Sequence, residues 1–265
     1  MSRNARKIKI RELNPEEIIR PNSRNWRDVA TLEKGGLVTA LIGQRGTGKS
    51  RIIRSLIYEK SHVFPTGEVI SETEDSNHFY SKFFPGICIH NKLEKDMSQI
   101  KNFIRRQKIA KEYLENPWSI LLLDDCMSDP KIFNDKTFQE LIKNGRHFAT
   151  WVIIAMQFSL DLKPNIRNNI DGVFVFRDPN IRNRRKTWEN YAGIIPDFNL
   201  FCSIMDQITE EYTALYIHNA STSNKLEDCV FWYRAKPVPE NFRFGCDEMW
   251  EFHDKRYNQN YRDIY

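Results

Sequence analysis

Short apolar runs alternate with longer amphipathic stretches along the first two thirds of the chain. The short runs are typical of buried strands, and the stretches between them have helical spacing. The predicted strands are residues 36–43, 67–71, 86–90, 118–125, 150–157 and 172–176. The main predicted helices are residues 50–60, 93–114 and 133–143. Strands that alternate with helices predict an α/β fold, in which a mostly parallel sheet is flanked by helices.

The pattern changes after residue 182. A helix is predicted near residues 197–208, and the stretches TALYIHN and CVFWYRA predict a hairpin after it. The tail from residue 237 to 265 shows no clear period. We therefore expect a basic amino-terminal arm at 1–30, a core at 31–195, and a C-terminal extension at 196–265 that packs on the core.

Composition narrows the class of protein. With 265 residues, of which 40% are hydrophobic and 28% charged, the chain has the size and balance of one large soluble domain. The net charge of +5 is compatible with a polyanionic partner. The five cysteines are scattered, which favours a reducing compartment over a disulfide framework or a zinc site. The chain has no apolar run near the roughly 20 residues of a membrane span, and its basic start lacks the apolar segment of a secretory signal.

The glycine-rich stretch LIGQRGTGKS at 41–50 carries the clearest chemistry. Gly43, Gly48, Lys49 and Ser50 match the Walker A pattern, between a predicted strand and a predicted helix. Glycines let backbone N–H groups curl around a phosphate, and the helix adds its partial positive charge. We expect Lys49 to reach the β- and γ-phosphates of ATP and Ser50 to ligate Mg²⁺. The predicted nucleotide-binding residues are Gly43, Gln44, Arg45, Gly46, Thr47, Gly48, Lys49, Ser50 and Arg51.

Two adjacent carboxylates end a second buried strand. Asp124 and Asp125 follow the uncharged run WSILLL, which is the pattern of a Walker B strand. We expect Asp124 to hold Mg²⁺, through water, and Asp125 to polarise the attacking water as general base. The alternative is that the pair caps the next helix or only marks the end of a strand.

The region from Leu114 to Asp178 resembles one branch of P-loop ATPases. WSILLLDD and the stretch LIKNGRHFATWVIIAMQFSLDLKPNIRNNIDGVFVFRD are similar to the FtsK/HerA superfamily. Within it, the poxvirus-type genome-packaging ATPases of large double-stranded DNA viruses are the nearest group. The resemblance covers roughly residues 30 to 195. It implies a RecA-like ATPase that forms a hexameric ring on double-stranded DNA and acts with viral capsid or vertex proteins in the host cytoplasm.

The resemblance also implies roles for three further residues. Gln157, at the end of the strand TWVIIAMQ, matches the polar residue that contacts the γ-phosphate or the attacking water. Arg146 matches a position where relatives carry an arginine that acts on a neighbouring subunit's nucleotide, and Arg167 is a second candidate for this role. Each arginine could equally be a surface or salt-bridged residue. Many cellular relatives have glutamate at the position of Asp125, so the general base here is one methylene shorter.

Two basic segments are candidates for the DNA contact. Residues 181–191 carry four basic side chains beside Trp188 and Tyr191, and residues 103–111 form a second basic stretch. Basic side chains neutralise phosphates, and aromatic rings can stack on bases. Arg184 and Arg185 are the predicted phosphate contacts in the first segment. A solvated helix face is the alternative for either segment, and the amino-terminal arm is a further candidate.

These residues predict an ATPase that translocates double-stranded DNA into a capsid without reading its sequence. Two other classes of protein carry the same nucleotide-binding motifs. A small-molecule or nucleotide kinase on a P-loop fold would need an arginine-bearing lid, for which the sequence has no convincing segment. A nucleotide-dependent switch or scaffold would bind ATP and turn it over little.

Overall fold

A computed structural model describes residues 10–19, 37–126, 132, 134–158 and 162–258. Its nine strands form one sheet in the order β1-β9-β8-β7-β2-β6-β5-β3-β4. The glycine-rich loop lies at the carboxyl end of β2, between this strand and the helix that follows it. The strands are β1 (Arg11–Glu12), β2 (Leu37–Ile42), β3 (Thr66–Ser71), β4 (Ile89–His90), β5 (Ser119–Asp124), β6 (Thr150–Met156), β7 (Gly172–Val175), β8 (Thr213–His218) and β9 (Val230–Arg234).

The sheet is parallel except at β8. This strand pairs antiparallel with β7 on one side and with β9 on the other. The remaining pairs, from β1 with β9 to β3 with β4, are parallel. The carboxyl ends of the parallel strands therefore share one edge of the sheet, and β8 begins at that same edge.

Helices cover both faces of the sheet. The α-helices are α1 (Pro15–Ile18), α2 (Lys49–Lys60), α3 (Glu74–Asn77), α4 (Ser98–Tyr113), α5 (Lys136–Asn144), α6 (Pro164–Arg167), α7 (Ile181–Tyr191), α8 (Phe198–Ile208), α9 (Leu226–Cys229) and α10 (Asp247–Arg256). Leu121 of β5 packs into the cluster beneath α4, α5 and α8. Leu122, the next residue, packs into the cluster beneath α2. Because both faces are buried, the central strands are continuous apolar runs. In the described part of the chain, no helix is long and apolar enough to cross a membrane.

This architecture confirms the predicted α/β fold with a mostly parallel sheet, with changes in detail. The segment predicted as a strand at 86–90 is a 3₁₀ helix, Gly86–Cys88, followed by the two residues of β4. The helix predicted at 93–114 begins only at Ser98, because Met97 has a left-handed backbone with φ 58°. One strand from the predicted arm and two from the predicted extension join the central sheet. The proposed boundaries between these parts stay predictions.

The chain crosses the whole sheet after β9. We call residues 236–246 the crossing segment. Arg54 Nη2, on α2, donates to the Pro239 carbonyl at 3.1 Å, which holds the segment over that helix. Farther along, the Phe244 ring stacks on Phe84 with centroids 4.3 Å apart, next to β3. The crossing segment thus connects β9, near one end of the sheet, with β3, near the other.

Candidate active site

The glycine-rich loop connects β2 to α2 through two left-handed residues. Gly46 has φ 79° and Gly48 has φ 105°. Side chains with a Cβ rarely adopt this conformation, which explains why glycine stands at both positions. Gly48 is also the N-cap of α2, so the loop ends where the helix presents its free N–H groups. This end of α2 is a suitable place for a phosphate.

Lys49 lies inside the loop and is almost fully buried. Its Nζ donates to the carbonyl oxygen of Gly43 at 2.6 Å and to that of Gln44 at 3.3 Å. Burial lowers the pKa of Lys49, and the nearby carboxylates of Asp125 and Asp124 oppose this effect. A phosphate in the loop would offer this ammonium group a charged partner in place of neutral carbonyl oxygens.

Other predicted loop residues stabilise the loop or lie at its surface. The Thr47 hydroxyl donates to the Gln44 carbonyl at 2.8 Å. The Gln44 amide donates to Asp178 Oδ1, beyond β7, at 3.3 Å. Arg45 is exposed, and the Arg51 guanidinium lies 4.9 Å from the centre of the Tyr212 ring.

Asp124 and Asp125 end β5 in different environments. Asp124 is buried, and its Oδ2 accepts a hydrogen bond from the Tyr80 hydroxyl at 2.8 Å. Burial raises the pKa of Asp124 to about 6, although the hydrogen bond from Tyr80 acts in the opposite direction. Asp125 is only partly buried and turns out of the strand with φ 49°. The two carboxylates are therefore suited to different roles.

Asp125 meets the glutamine that ends the neighbouring strand. Because β5 and β6 are adjacent and parallel, their carboxyl ends lie side by side. Gln157 Nε2 donates to Asp125 Oδ2 at 3.3 Å, and the Asp125 amide donates to the Ala155 carbonyl at 3.2 Å. The sheet thus brings together two side chains that the sequence separates by 32 positions. The pair is exposed enough for a water molecule to reach it.

The donor set at this edge fits magnesium bound together with a nucleotide. Ser50, in the first turn of α2, offers a hydroxyl, and the second oxygen of Asp124 remains available beside Tyr80. Among the described residues, no group of three or more histidine, cysteine, aspartate or glutamate side chains could hold a metal alone. Mg²⁺ commonly takes one or two protein oxygens and completes its shell with phosphates and water.

Tyr80 is a site residue that the sequence did not reveal. It is fully buried, and burial together with Asp124 raises the pKa of its hydroxyl well above the usual value, so the phenol stays protonated. The buried carboxylate of Glu74 holds the turn that carries Tyr80. It accepts backbone N–H groups of Phe79, Tyr80 and Ser81 at 3.1, 2.9 and 2.8 Å. Only the aromatic run HFYSKFF at 78–84 could have drawn attention to this turn.

Replacing Glu74 by alanine should lower the free energy of unfolding by about 2–3 kcal/mol, because three backbone donors lose a charged acceptor. Urea denaturation of purified protein measures this difference. Glu72→Ala is the matched control, since Glu72 is an exposed carboxylate two positions away and should change stability by less than about 0.5 kcal/mol. Equal stabilities of the two variants would contradict a structural role for Glu74.

The two candidate arginines lie away from this edge. Arg146 belongs to the 3₁₀ helix Gly145–Phe148, which precedes β6, and its side chain lies outside the described residues. β6 has seven residues, so this helix is about 20 Å from the loop of its own subunit. Arg167 is partly buried, and its Nη1 donates to the Leu162 carbonyl at 3.0 Å. Arg167 has no contact with Lys49 or Asp125 among the described residues.

The basic residues of α7 divide into internal and exposed ones. Arg184 was a predicted DNA contact, but it pairs with Asp206 at 2.7 Å and donates to the Asp178 carbonyl at 2.6 Å. This prediction is wrong for Arg184, because the guanidinium already ties α7 to α8. Trp188 donates to the Ile195 carbonyl, and Tyr191 is buried, so neither ring presents its face for base stacking.

Three basic residues of α7 remain exposed on one side of the helix. Arg182, Arg185 and Lys186 are spaced i, i+3 and i+4, and we call them the basic face of α7. On α4, by contrast, Arg106 pairs with Glu68, Lys108 with Glu140, and Lys111 donates to the His147 carbonyl. Much of the positive charge at 103–111 is thus already compensated.

Relatives of the chain occur in several large DNA viruses. It is 47% identical over 244 residues to the uncharacterized protein 088R of Invertebrate iridescent virus 3, with 91% of each chain covered. It is 35% identical over 236 residues to the uncharacterized protein L437 of Acanthamoeba polyphaga mimivirus, covering 85% of this chain and 81% of the relative.

Solved structures share the fold at low sequence identity. B204, the DNA-packaging ATPase from Sulfolobus turreted icosahedral virus, superposes with a TM-score of 0.58 and 15% identity, covering 78% of this chain and all of B204. The genome packaging NTPase B204 of a second such virus, in complex with AMPPCP, gives 0.52 and 13%, covering 77% and 98%. The conjugation coupling protein TcpA, with ATPγS, gives 0.53 and 12%, covering 83% and 65%. These likenesses show a P-loop NTPase fold.

A family model identifies the chain more closely than any of these structures. The model described as Poxvirus A32 protein matches residues 27–229, which include the glycine-rich loop, both carboxylates and Gln157. The match therefore spans the sheet edge at which the site residues meet. The chain belongs to the poxvirus A32 protein family, a family of the viral packaging ATPase type.

Proposed function

We propose that this protein hydrolyses ATP to drive double-stranded DNA into a viral capsid, as a hexameric ring of identical subunits. The observation that carries the proposal is the contact between Asp125 and Gln157 beside the loop that holds Lys49. This arrangement suits transfer of a phosphoryl group to water. The DNA-packaging role named for B204, which shares the fold, supports DNA as the polymer that is moved.

The loop residues bind and orient the nucleotide. Backbone N–H groups of the loop after Gly43 surround the α- and β-phosphates, and Lys49 reaches the β- and γ-phosphates. Ser50 and Asp124 would hold Mg²⁺, which supplies positive charge to the phosphate oxygens when it is bound. Tyr80 fixes Asp124 in one orientation through the 2.8 Å hydrogen bond. A nucleotide bound in this way would have its γ-phosphoryl group toward the ends of β5 and β6.

Asp125 and Gln157 act on the attacking water. Asp125 is the general base that accepts a proton from this water, and its exposed position allows the water to approach. The Gln157 amide, which donates to one Asp125 oxygen, keeps the carboxylate in place. Its second role in the proposal is to contact the γ-phosphate. A neighbouring subunit supplies the missing positive charge through Arg146 or Arg167.

The basic face of α7 is the proposed contact with DNA phosphates. A cavity of about 220 Å³ separates α7 from the end of β6, and both Gln157 and Lys186 line it. A DNA strand on α7 would therefore lie close to a residue that senses the γ-phosphate. This proximity provides a physical reason for DNA to stimulate hydrolysis. Phosphate contacts alone accept any DNA sequence, as packaging requires.

The test is ATP hydrolysis by the full chain with and without linear double-stranded DNA of unrelated sequences. We expect DNA of any sequence to raise the rate, and Lys49→Ala to abolish turnover in both conditions. Transfer of phosphate to a nucleotide acceptor would indicate a kinase, and ATP binding without turnover would indicate a switch.

A second experiment measures the mass of the protein with an ATP analogue and DNA present. We expect the mass of a ring, and a persistent monomer would contradict the motor.

Removing the three charges of the basic face of α7 should weaken DNA binding and flatten its salt dependence. The slope of log K against log salt should fall by about 1 for each lost phosphate contact. A variant that replaces Arg105, Lys108 and Lys111 on α4 removes the same number of charges and is the matched control. If only the α4 variant flattens the slope, the DNA contact lies on α4. If neither does, the amino-terminal arm becomes the candidate.

We further propose that the protein works in the host cytoplasm, where it would meet capsid or vertex proteins during virus assembly. The relatives in iridescent viruses and mimivirus support a viral role. Fractionation of infected cells with an antibody against the chain tests this location, and a nuclear signal would contradict it.

A further inference from the structure

An exposed tyrosine lies against the phosphate loop without any role in the chemistry described above. Tyr212 directly precedes β8, and a Cβ placed on Gly48 would lie 3.1 Å from the Tyr212 Cβ. Because β8 is antiparallel to β7, its first residue lies at the same edge of the sheet as the loop. Tyr212 is therefore a direct neighbour of the residue that caps α2.

Tyr212 lies on the side of the loop opposite to the catalytic carboxylates. In the sheet, β6 and β5 lie on one side of β2, and β7 and β8 lie on the other. Asp125 and Gln157 therefore mark the γ-phosphate side, while Tyr212 marks the other side. A polyphosphate held in the loop at the start of α2, with its γ end toward the carboxylates, would direct the nucleoside to the side of Tyr212.

The backbone around Tyr212 is unusual. Glu211 and Tyr212 have φ 49° and 63°, a left-handed pair without glycine. Such a conformation is uncommon for residues with a Cβ, and it often occurs at binding sites. The turn is supported by a hydrogen bond from the Thr213 amide to the Glu210 carbonyl at 2.9 Å and by an ion pair of Glu211 with Arg234 at 3.2 Å.

This geometry presents two flat groups to solvent. Tyr212 is 51% exposed, and the Arg51 guanidinium lies 4.9 Å from the centre of the Tyr212 ring. Aromatic rings and guanidinium planes both stack on nucleobases, and stacking tolerates any base because every base has a π face. An exposed tyrosine fixed beside a phosphate loop therefore has the chemistry of a base-binding surface.

We propose that Tyr212, together with Arg51, forms the platform on which the base of the bound nucleoside triphosphate stacks. The inference rests on the proposed function, because it assigns a further part of the same ATP site. A platform that holds the base by stacking accepts GTP as well as ATP, because both purines offer a large ring system. Pyrimidine nucleotides, with smaller rings, bind more weakly.

The test compares binding of a non-hydrolysable ATP analogue and of tripolyphosphate, which has no base, to the full chain with Mg²⁺. Tyr212→Leu keeps a bulky side chain next to Gly48 but loses the ring, so analogue binding should weaken about 5- to 100-fold. Tripolyphosphate binding should not change. Tyr212→Phe should retain analogue affinity, since stacking does not need the hydroxyl. Tyr113→Ala is the control, because Tyr113 is 78% exposed at the end of α4.

Each outcome decides the inference separately from the proposed function. Unchanged analogue affinity in Tyr212→Leu would overturn the platform, and so would an equal loss of tripolyphosphate binding, which would show that Tyr212 only shapes the loop. Failure of the unsubstituted chain to bind the analogue would instead overturn the proposed function.

If Tyr212→Leu does not fold, photolabelling of the unsubstituted chain with 8-azido-ATP replaces the binding comparison. Label on the peptide that contains Tyr212 supports the platform, and label only elsewhere overturns it.

Discussion

Replacing Arg146 by alanine should leave ATP binding unchanged and reduce hydrolysis by roughly 10³- to 10⁵-fold, the range known for arginines supplied by a neighbouring subunit. The reason is geometric. The 3₁₀ helix that carries Arg146 precedes β6 and lies about 20 Å from its own glycine-rich loop, so the residue cannot serve its own nucleotide. Binding of an ATP analogue and steady-state hydrolysis by the assembled ring measure the two effects separately.

Mixed rings test whether the arginine acts between subunits. An Arg146→Ala subunit keeps an intact loop, and a Lys49→Ala neighbour keeps its arginine, so mixing the two inactive variants should restore part of the activity. Arg167→Ala in the same mixture is the comparison, and rescue there alone would transfer the role to Arg167. If neither mixture regains activity although mass measurement shows that the variants co-assemble, neither Arg146 nor Arg167 acts on a neighbouring subunit's nucleotide.

Replacing Asp125 by asparagine should reduce hydrolysis by about 100-fold or more, the usual effect of losing a general base. Asparagine keeps the size of the side chain but accepts protons poorly, so ATP binding should remain close to normal. The measurement is single-turnover hydrolysis at saturating ATP, which separates chemistry from product release.

Asp178→Asn is the matched control for Asp125→Asn. It makes the same change in a carboxylate near the loop, but Asp178 contacts Gln44 rather than Gln157, and we expect a change below about 10-fold. Normal hydrolysis by Asp125→Asn would show that another group activates the water.

The sequence predicted the centre of the fold well, because local signals determine it. Central parallel strands are buried on both faces, and therefore the runs around Leu41, Leu122 and Ile153 are apolar throughout. The glycine pattern is local as well, since the left-handed angles of Gly46 and Gly48 require glycine at those positions. Asp125 and Gln157 both follow predicted strands, and the structure explains their contact by the parallel pairing of β5 with β6.

Contacts that depend on distant parts of the chain could not be predicted in this way. Tyr80 and Asp124 are 44 positions apart, and only the packed sheet shows that they form a hydrogen bond. Arg184 was interpreted as a DNA contact because a helix rich in arginine gives no sign of a carboxylate on the next helix. Asp206 of α8 is that carboxylate, and it lies 22 positions later. α10 was missed because its sequence alternates apolar and charged residues without a clear face.

The crossing segment would have a mechanical consequence in the proposed motor. It starts after β9 and ends beside β3, where the Cys246 amide donates to the Pro65 carbonyl at 2.8 Å. These strands are six positions apart in the sheet, a span of about 29 Å. A force applied to β8 and β9 would thus be transmitted along the backbone of the crossing segment to β3, which lies beyond the two carboxylates of β5. If the chain works as the proposed motor, this tie would couple the two flanks of the phosphate loop, and we expect force to come from rotation of whole subunits against each other.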